Sequence, residues 1–283
     1  TVKSITPNVP EAPARVKKRV IKDFDKVYYP EGFVVPFTQI VHDRAVVEVL
    51  RGCIRGCRFC QAGFIYRPFR EKSIDTIKNE TKSLCEQTGY EEVSLSSLST
   101  SDYTEINKLL ENLVEYTDGE QINLSLPSLR IDNFSEELLE KIKSVRKSGL
   151  TFAPEAGTQR LRDVINKNIT EDEIMRTCRT AFEGGYSTVK LYFMLGLPEE
   201  TLEDVEGIAK LAQKVLDLYY ETPKEKRGKS VQISVSTATF VPKPFTPFEF
   251  EPQATPEEIK VKQEHLFKSL TSRKIRLSTH QSY

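Results

Sequence analysis

Hydrophobic and polar positions alternate with two different periods along residues 45–270 of the 283-residue chain. Short runs of β-branched and aliphatic residues predict strands, whereas apolar residues three and four positions apart predict helices. Strands are predicted at 45–50, 92–96, 122–126, 150–153, 188–194 and 231–240. Helices are predicted at 74–87, 103–116, 136–147, 171–183, 201–219 and from 256 to near 270.

Polar residues and glycines mark the ends of several of these helices. Ser73, Ser135 and Thr170 each stand directly before a predicted helix, where a hydroxyl group accepts a backbone N–H. Gly149 and Gly184 follow the last apolar position of two helices, where glycine commonly ends a helix.

Strands that alternate with helices favour parallel pairing with right-handed crossovers, and therefore an α/β fold. The pattern leaves two arrangements open: a doubly wound sheet, or a sheet curled into part of a barrel. In both, functional residues gather in the loops that follow the carboxyl ends of the strands. Chemistry is therefore expected in those loops.

Both ends of the chain differ from this regular middle. Five prolines interrupt residues 1–40, so an irregular N-terminal extension is expected there. Within it, the basic residues 15–22 are expected to be solvated, and residues 30–36 to lie against the edge of the domain as a short hairpin. Residues 41–270 are expected to form one domain, and residues 271–283 to begin a C-terminal extension of a longer protein.

Composition narrows the functional classes. The 41 basic and 41 acidic residues cancel, so no overall field favours nucleic acid. No run of about 18 apolar residues is present, so no membrane span is expected. Five cysteines, three of them crowded together, do not suit a disulfide framework. A reducing cytoplasm is the expected location.

The crowded cysteines are Cys53, Cys57 and Cys60, spaced Cys-x3-Cys-x2-Cys directly after the first predicted strand. Gly52 and Gly56 allow the backbone to fold tightly around them. Thiolates at this spacing suit a soft metal, above all an iron–sulfur cluster. Three ligands leave one iron of a four-iron cluster open to a substrate or cofactor.

Zinc is the alternative, and it requires a fourth ligand. The remaining histidines and cysteines are all distant in sequence; they are His42, His265, His280, Cys85 and Cys178. Both of these cysteines fall within predicted helices and are expected to pack as small hydrophobic residues.

The cysteine motif, with Phe59 before Cys60, resembles that of the radical S-adenosylmethionine (SAM) superfamily. Three further stretches, each after a predicted strand, resemble motifs of the same family. They are Ala-Pro-Glu-Ala-Gly at 153–157, Gly-Leu-Pro-Glu-Glu-Thr at 196–201 and Val-Pro-Lys-Pro-Phe-Thr-Pro at 241–247. The resemblance implies a partial (β/α)6 TIM-like barrel with parallel strands.

Residues 58–63 and 66–68 are also similar to an uncharacterised bacterial subgroup of this superfamily. Its members usually carry a cobalamin-binding-like region upstream of the radical domain. Cobalamin is therefore expected to bind only through a region missing from this chain. No Asp-x-His-x-x-Gly stretch occurs in the sequence.

The resemblance implies a radical SAM enzyme with a [4Fe-4S] cluster on Cys53, Cys57 and Cys60. The open iron would bind SAM. An electron from a flavodoxin- or ferredoxin-type donor would then cleave SAM reductively to methionine and a 5′-deoxyadenosyl radical that acts on an unknown substrate. The alternative is a non-catalytic iron–sulfur module for electron transfer or structure, which would need a fourth protein ligand.

Residues that contact SAM are implied by the same resemblance. Ser96 and Ser97 stand where the family has a glycine-rich turn at the SAM amino group, so contacts through carbonyl or hydroxyl groups are expected. Ser128 and Arg130 are expected at the SAM carboxylate, because arginine binds a carboxylate with two parallel hydrogen bonds. Arg160 and Arg162, which are expected to open the next helix, are alternative partners for that carboxylate.

Four further residues are implied on the adenosine side of SAM. Glu155 is expected to hold the ribose hydroxyls or the amino group. Gly196 and Leu197 are expected to present their backbone to the adenine edge, as is Phe59 in the cysteine loop.

Residues 51–70 carry five arginines and no acidic residue. Two interpretations stay open. The charge compensates an anionic cluster and forms ordinary ion pairs, or it forms a basic rim for an anionic substrate such as RNA.

Overall fold

Parallel strands alternate with the helices that connect them. The computed structural model describes residues 6–38, 40–125 and 150–280. The strands are β1 Ala45–Glu48, β2 Leu50–Arg51, β3 Arg70–Glu71, β4 Glu92–Ser96, β5 Asn123–Ser125, β6 Leu150–Glu155, β7 Thr188–Leu195, β8 Gln232–Thr239 and β9 Ile275–Thr279. The helices are α1 Ala62–Ile65, α2 Ile74–Thr88, α3 Ile106–Gly119, α4 Gln159–Val164, α5 Glu171–Glu183, α6 Leu202–Glu221 and α7 Pro256–Ser269.

The strands pair in two parallel sheets, in the orders β1-β4-β5 and β6-β7-β8-β9. The short strands β2 and β3 form a separate antiparallel ribbon. Parallel pairing and the alternation of strands with helices confirm the predicted α/β class. Because the carboxyl ends of parallel strands lie on one side of a sheet, the loops after β6, β7 and β8 share one end of the domain.

The core lies between the sheets and the covering helices. Along β7 every second side chain is at most 1% exposed; these are Val189, Leu191, Phe193 and Leu195. This is the alternation that a strand with one face in the core requires. No helix in the described ranges is both long enough and apolar enough to cross a membrane.

Helix α5 has the boundaries that the sequence predicts. Thr170 accepts a hydrogen bond from the backbone N–H of Glu173, whose carboxylate accepts one from the N–H of Thr170. This reciprocal capping box satisfies two donors at the start of the helix. Helix α3 begins at Ile106, three residues later than predicted, and a 3-10 turn at Thr100–Asp102 precedes it. The predicted helix at 136–147 lies outside the described residues.

Several parts of the sequence prediction differ from the structure. Residues 275–279, assigned to a C-terminal extension, pair as β9 along β8. Helices α1 and α4 were not predicted, since elements of four and six residues are too short to show a period. The hairpin expected at 30–36 is wrong, because no strand occurs there; prolines at both ends remove backbone donors.

Side chains hold the N-terminal extension against the domain instead. Phe24 is only 4% exposed, and the guanidinium of Arg51 and the ammonium of Lys72 lie 4.9 and 5.6 Å from its ring centroid. Asp25 accepts a 2.6 Å hydrogen bond from the N–H of Ser73. Lys18, from the basic segment, donates to the carbonyl of Arg67 at 2.8 Å. The extension is therefore fixed to the ribbon beside the cysteine loop.

The turn after β6 packs directly on helix α6, and two glycines permit this contact. A Cβ atom on Gly157 would lie 2.3 Å from the nitrogen of Ile208 and 2.4 Å from the oxygen of Asp204. A Cβ atom on Gly207 would lie 2.7 Å from the Thr158 methyl group. Two backbones meet here, so neither side can yield by a rotamer change.

We expect Gly157→Ala to lower the free energy of unfolding by about 1–3 kcal/mol, the usual effect of forcing atoms into a packed interior. Gly119→Ala is the control, because its Cβ atom would meet nothing within 4 Å. Denaturant titration of both variants is the measurement. Equal stability of the two variants would contradict the close approach.

Candidate functional site

The loop that carries Cys53, Cys57 and Cys60 folds back on itself after β2. A Cβ atom on Gly63 would lie 2.1 Å from the carbonyl oxygen of Arg55, so only glycine fits there. The N–H of Cys60 donates to the carbonyl of Cys57 at 3.1 Å, and the N–H of Arg55 points to the sulfur of Cys53 at 3.4 Å. Cys57 is buried, and the other two cysteines are partly buried.

Polar side chains from outside this turn fix its backbone. Arg67 donates to three consecutive carbonyls of residues 53–55, at 3.1–3.5 Å. Asn166, which follows α4, donates to the carbonyl of Gly56 at 2.8 Å. Irregular backbone needs such partners once water is excluded. The loop therefore has a defined shape in the protein alone.

The two cysteines outside the loop are not available as ligands. Burial raises the pKa of the Cys178 thiol to about 12 and also raises the pKa of Cys85. Metals and clusters bind the thiolate form. These cysteines are buried members of the main core, as the sequence predicts.

The five arginines of residues 51–70 each bind groups of the protein. Arg55 forms a two-point ion pair with Asp102, at 3.2 and 2.5 Å. The arginine partners are a carboxylate or a backbone carbonyl: Arg51 with Glu48, Arg55 with Asp102, Arg58 with Val164, Arg67 with residues 53–55 and Arg70 with Pro68. These contacts favour the interpretation that the charge stabilises the loop and compensates an anionic group on it.

A small apolar cluster joins the cysteine loop to the ends of β6, β7 and β8. Its six buried members come from α4, the residue after α4 and the segments that follow β6, β7 and β8; they are Ala156, Leu161, Ile165, Leu197, Phe240 and Phe248, with Phe59, Val164 and Met194 packed against them. Backbone hydrogen bonds reinforce the cluster, since the N–H of Arg58 donates to Ile165 at 3.0 Å and its carbonyl accepts from Phe248 at 3.3 Å. The cysteine loop and the turns after β6 and β7 thus meet at one place, beside Phe240 and Phe248, which flank residues 241–247.

Glu155 ends β6 with a φ of +69°, a conformation that non-glycine residues rarely adopt. Its carboxylate pairs with Lys167 at 3.3 Å, and both side chains are mostly buried. The ammonium of Lys167 also lies 6.0 Å from the ring centroid of Phe59. Sequence reasoning missed Lys167, because it stands between two asparagines and reads as part of a surface turn.

The Gly-Leu-Pro turn after β7 is closed by Glu200. Gly196 has a φ of +80°, and its N–H donates to the Glu200 carboxylate at 2.7 Å. Lys262 from α7 binds the same carboxylate at 2.6 Å. Burial raises the pKa of Glu200, opposed by these two donors. The turn buries Leu197 in the apolar cluster.

Two arginines brace the turn after β6. Arg160 bonds to the Asp204 carboxylate of α6 and to the carbonyl of Glu199 at 2.9 Å. Arg162 is fully buried and donates to the carbonyl of Ala156 at 3.0 Å. Arg160 therefore already joins α4 to α6, and its expected contact with the SAM carboxylate stays a prediction.

The serines after β4 differ in their contacts. The carbonyl of Ser96 accepts from the N–H of Val49 at 3.0 Å, and the hydroxyl of Ser97 lies 2.8 Å from that of Thr100. The Ser99 hydroxyl is buried without a hydrogen-bond partner in the described ranges. Ser128 and Arg130 lie outside those ranges.

The donor set of the loop fits an iron–sulfur cluster. Three cysteine side chains outside any disulfide, one N–H directed at a sulfur and a glycine-lined backbone stand together in a partly buried turn. No group of three His, Cys, Asp or Glu side chains in the described ranges is placed to hold a single metal ion. A four-iron cluster takes each thiolate on a different iron, so its sulfurs do not have to converge on one point.

Comparison with known proteins identifies the family. The model of the Radical SAM superfamily matches residues 47–212, more than half of the chain. The chain belongs to the radical SAM superfamily. Its cysteine loop lies within the matched residues, and this family implies a [4Fe-4S] cluster and SAM as cofactors.

Similar proteins include an uncharacterised protein of Methanocaldococcus jannaschii, 35% identical over 83% of this chain and 51% of the relative. A tRNA-2-methylthio-N(6)-dimethylallyladenosine synthase of Ehrlichia canis is 24% identical over 87% of this chain and 55% of that protein. The chain thus spans about half the length of these relatives.

Among solved structures, a radical SAM methyltransferase of Kitasatospora setae, TsrM, has a TM-score of 0.57 at 15% identity. The match covers 74% of this chain and 39% of that one. At this identity the likeness concerns the fold alone. It confirms the predicted partial TIM-like barrel, since the described strands do not close into a full barrel.

We expect Asp102→Asn to destabilise the radical SAM domain by about 3 kcal/mol, because it removes the negative charge of a buried carboxylate that binds Arg55 at two points. The Asp102 side chain is 1% exposed. Glu92→Gln is the control, since it removes a partner from the Arg44–Glu92 pair, whose side chains are 26% and 27% exposed. That change should cost at most about 1 kcal/mol. Denaturant titrations of cluster-free protein measure both effects, and similar losses would contradict this role of Asp102.

Proposed function

We propose that this chain is the radical-generating part of a SAM-dependent enzyme. Cys53, Cys57 and Cys60 hold a [4Fe-4S] cluster whose fourth iron binds SAM. One observation carries the proposal: the cysteine loop, the turns after β6 and β7 and the end of β8 meet in one apolar cluster through Phe59, Ala156, Leu197 and Phe240. A structural iron–sulfur module would need only the cysteine loop and would give those strand-end motifs no role.

The chain's own residues would bind, orient and shield the reactants. The three thiolates hold the cluster, and Phe59, Leu197 and Phe240 keep water from its surroundings. When bound, the cluster supplies the single low-potential electron that splits SAM into methionine and a 5′-deoxyadenosyl radical. The electron comes from a flavodoxin- or ferredoxin-type donor, and the reducing cytoplasm is the proposed location because it keeps the thiols free.

Glu155 forms an ion pair with Lys167, whose ammonium group lies 6.0 Å from the ring centroid of Phe59. We assign Glu155 to the ribose hydroxyls or amino group of SAM, and Gly196, Leu197 and Phe59 to the adenine edge through their backbone. Ser96 and Ser97 are assigned to the amino group. Their positions after β4, β6 and β7 on one side of the sheets support these assignments.

Ser128, Arg130 and Arg160 stay the proposed partners of the SAM carboxylate. Arg160 would have to share its guanidinium with Asp204 to do so. A guanidinium has five N–H donors, so it can bind two carboxylates at once.

The proposed reaction of the whole protein is transfer of a methylthio or methyl group to RNA or to a ribosomal protein, the two substrate classes that the names of its relatives print. The support lies in the names of relatives, which include a tRNA methylthio synthase, a putative methylthiotransferase and an uncharacterised methyltransferase. The arginines of the cysteine loop add little to this choice, because they bind the loop itself.

We expect Cys57→Ala to remove both the iron bound on anaerobic reconstitution and the 5′-deoxyadenosine formed from SAM with dithionite. Cys85→Ala is the matched control: the Cys85 thiol is buried in α2, and its raised pKa keeps it protonated. That variant should retain iron and product. Iron analysis and chromatography of the nucleoside are the measurements.

Production of 5′-deoxyadenosine by Cys57→Ala would rule out the proposed cluster site. Full iron content without any product in the unaltered protein, in the presence of SAM and reductant, would favour the non-catalytic alternative.

A further inference from the structure

A second pocket lies at the opposite end of the strands from the cysteine loop. It is formed by the loop between α6 and β8 together with the residue before β9, and its volume is about 320 Å³. The lining residues that matter are Tyr219, Tyr220, Lys224, Arg227, Lys229 and Lys274. Residues 223–229 of this loop include four basic residues and one acidic residue, and the radical chemistry gives the loop no role.

The loop is built as a fixed structure. A Cβ atom on Gly228 would lie 2.8 Å from the Cβ of Ser187 and 2.9 Å from the oxygen of Gly185. The N–H groups of Lys226 and Arg227 both donate to the carbonyl of Pro223, at 3.0 and 3.2 Å. The Tyr219 hydroxyl donates to the carbonyl of Gly228. The pocket walls therefore exist before any ligand binds.

The charge of the pocket is one-sided. Four of its lining side chains are cationic and none is a carboxylate. In the described part of the chain, none of Lys224, Arg227, Lys229 and Lys274 forms an ion pair. Cations gathered in a concave site without counter-charges raise the local concentration of anions.

The aromatic residues orient one of these cations. The Arg227 guanidinium lies 4.8 Å from the ring centroid of Tyr219 and 5.5 Å from that of Tyr220, and one of its nitrogens donates to the Tyr219 carbonyl at 2.8 Å. Most of its five N–H donors stay unused by this contact. Tyr220 is 53% exposed, so part of its ring is open to a ligand.

From these features we propose that the pocket binds the phosphate groups of a nucleotide, with Tyr220 contacting the base. Lysine and arginine are the usual partners of phosphate oxygens, and tyrosine rings stack on bases of any sequence. The volume lies at the lower end of the range for small-molecule sites. Two sources share this chemistry: a free nucleoside polyphosphate and a nucleotide within a nucleic-acid strand.

This site is separate from the SAM site. Ser230 and Lys274 precede β8 and β9, whereas the cysteine motif faces the carboxyl ends of the strands. The eight residues of β8 span about 26 Å. A mononucleotide in the pocket therefore does not reach the cysteine loop, and the pocket serves as a second binding site that does not take part in the radical chemistry.

The test is a calorimetric titration of the purified protein with ATP, with inorganic pyrophosphate and with a single-stranded octauridylate. We expect ATP or the oligonucleotide to bind, and Lys229→Glu with Lys274→Glu to weaken that binding at least tenfold. Lys82→Glu with Lys108→Glu makes the same change in charge on exposed faces of α2 and α3 and should leave the affinity within twofold. Circular dichroism of both double variants checks that they are folded.

The outcomes distinguish the sources. Tighter binding of ATP assigns a free nucleotide, and tighter binding of the oligonucleotide assigns a strand. Pyrophosphate binding as tight as ATP binding would overturn the role of Tyr220 and the base. The proposal would be overturned if the Lys229→Glu, Lys274→Glu variant kept the affinity of the unaltered protein. It would also be overturned if none of the three probes bound.

Discussion

The cysteine loop keeps its shape because side chains from distant parts of the chain donate hydrogen bonds to its backbone carbonyls. A turn of this kind has no neighbouring strand that pairs with its backbone N–H and C=O groups. Such groups are costly to leave without a hydrogen bond where water is excluded. Arg67 supplies donors to three consecutive carbonyls, and Asn166 supplies one more from the far side of the turn. Gly63 lets the chain pass close enough to Arg55 to close the loop.

One ion pair and one apolar cluster join the loop to the strand ends, and further buried ion pairs fix the turns at those ends. Arg55 reaches Asp102 after β4, and Lys167 reaches Glu155 after β6. Glu200 closes the turn after β7 through Gly196 and Lys262. Each pair ties a motif to a different element, so the motifs form one rigid wall even though they are far apart in sequence. Such a wall suits a reaction that requires the reactants to be held in place and water to be excluded.

Local patterns in the sequence predict much of this fold. The periods of apolar residues locate the described strands β4, β6, β7 and β8, and Thr170 marks the start of α5. The cysteine spacing and the glycine turns predict which loops carry the chemistry. These features are local, because they depend on neighbours within a few residues.

Features that depend on contacts between distant residues were missed. Nothing in the spacing indicates that Arg55 pairs with Asp102, that Lys167 lies beside Glu155, or that Arg162 is fully buried against the turn after β6. Strand β9 was also missed, because only Ile275 and Leu277 alternate with polar residues in it. The sequence leaves two roles open for the five arginines, and their partners in the structure favour support of the loop.

The most direct test of the central claim is electron paramagnetic resonance of the reconstituted, reduced protein with and without SAM. If three cysteines leave one iron open, SAM binds that iron and shifts the signal of the reduced cluster. A signal that saturating SAM leaves unchanged would show that no iron is open to SAM, and would contradict the account given for Cys53, Cys57 and Cys60.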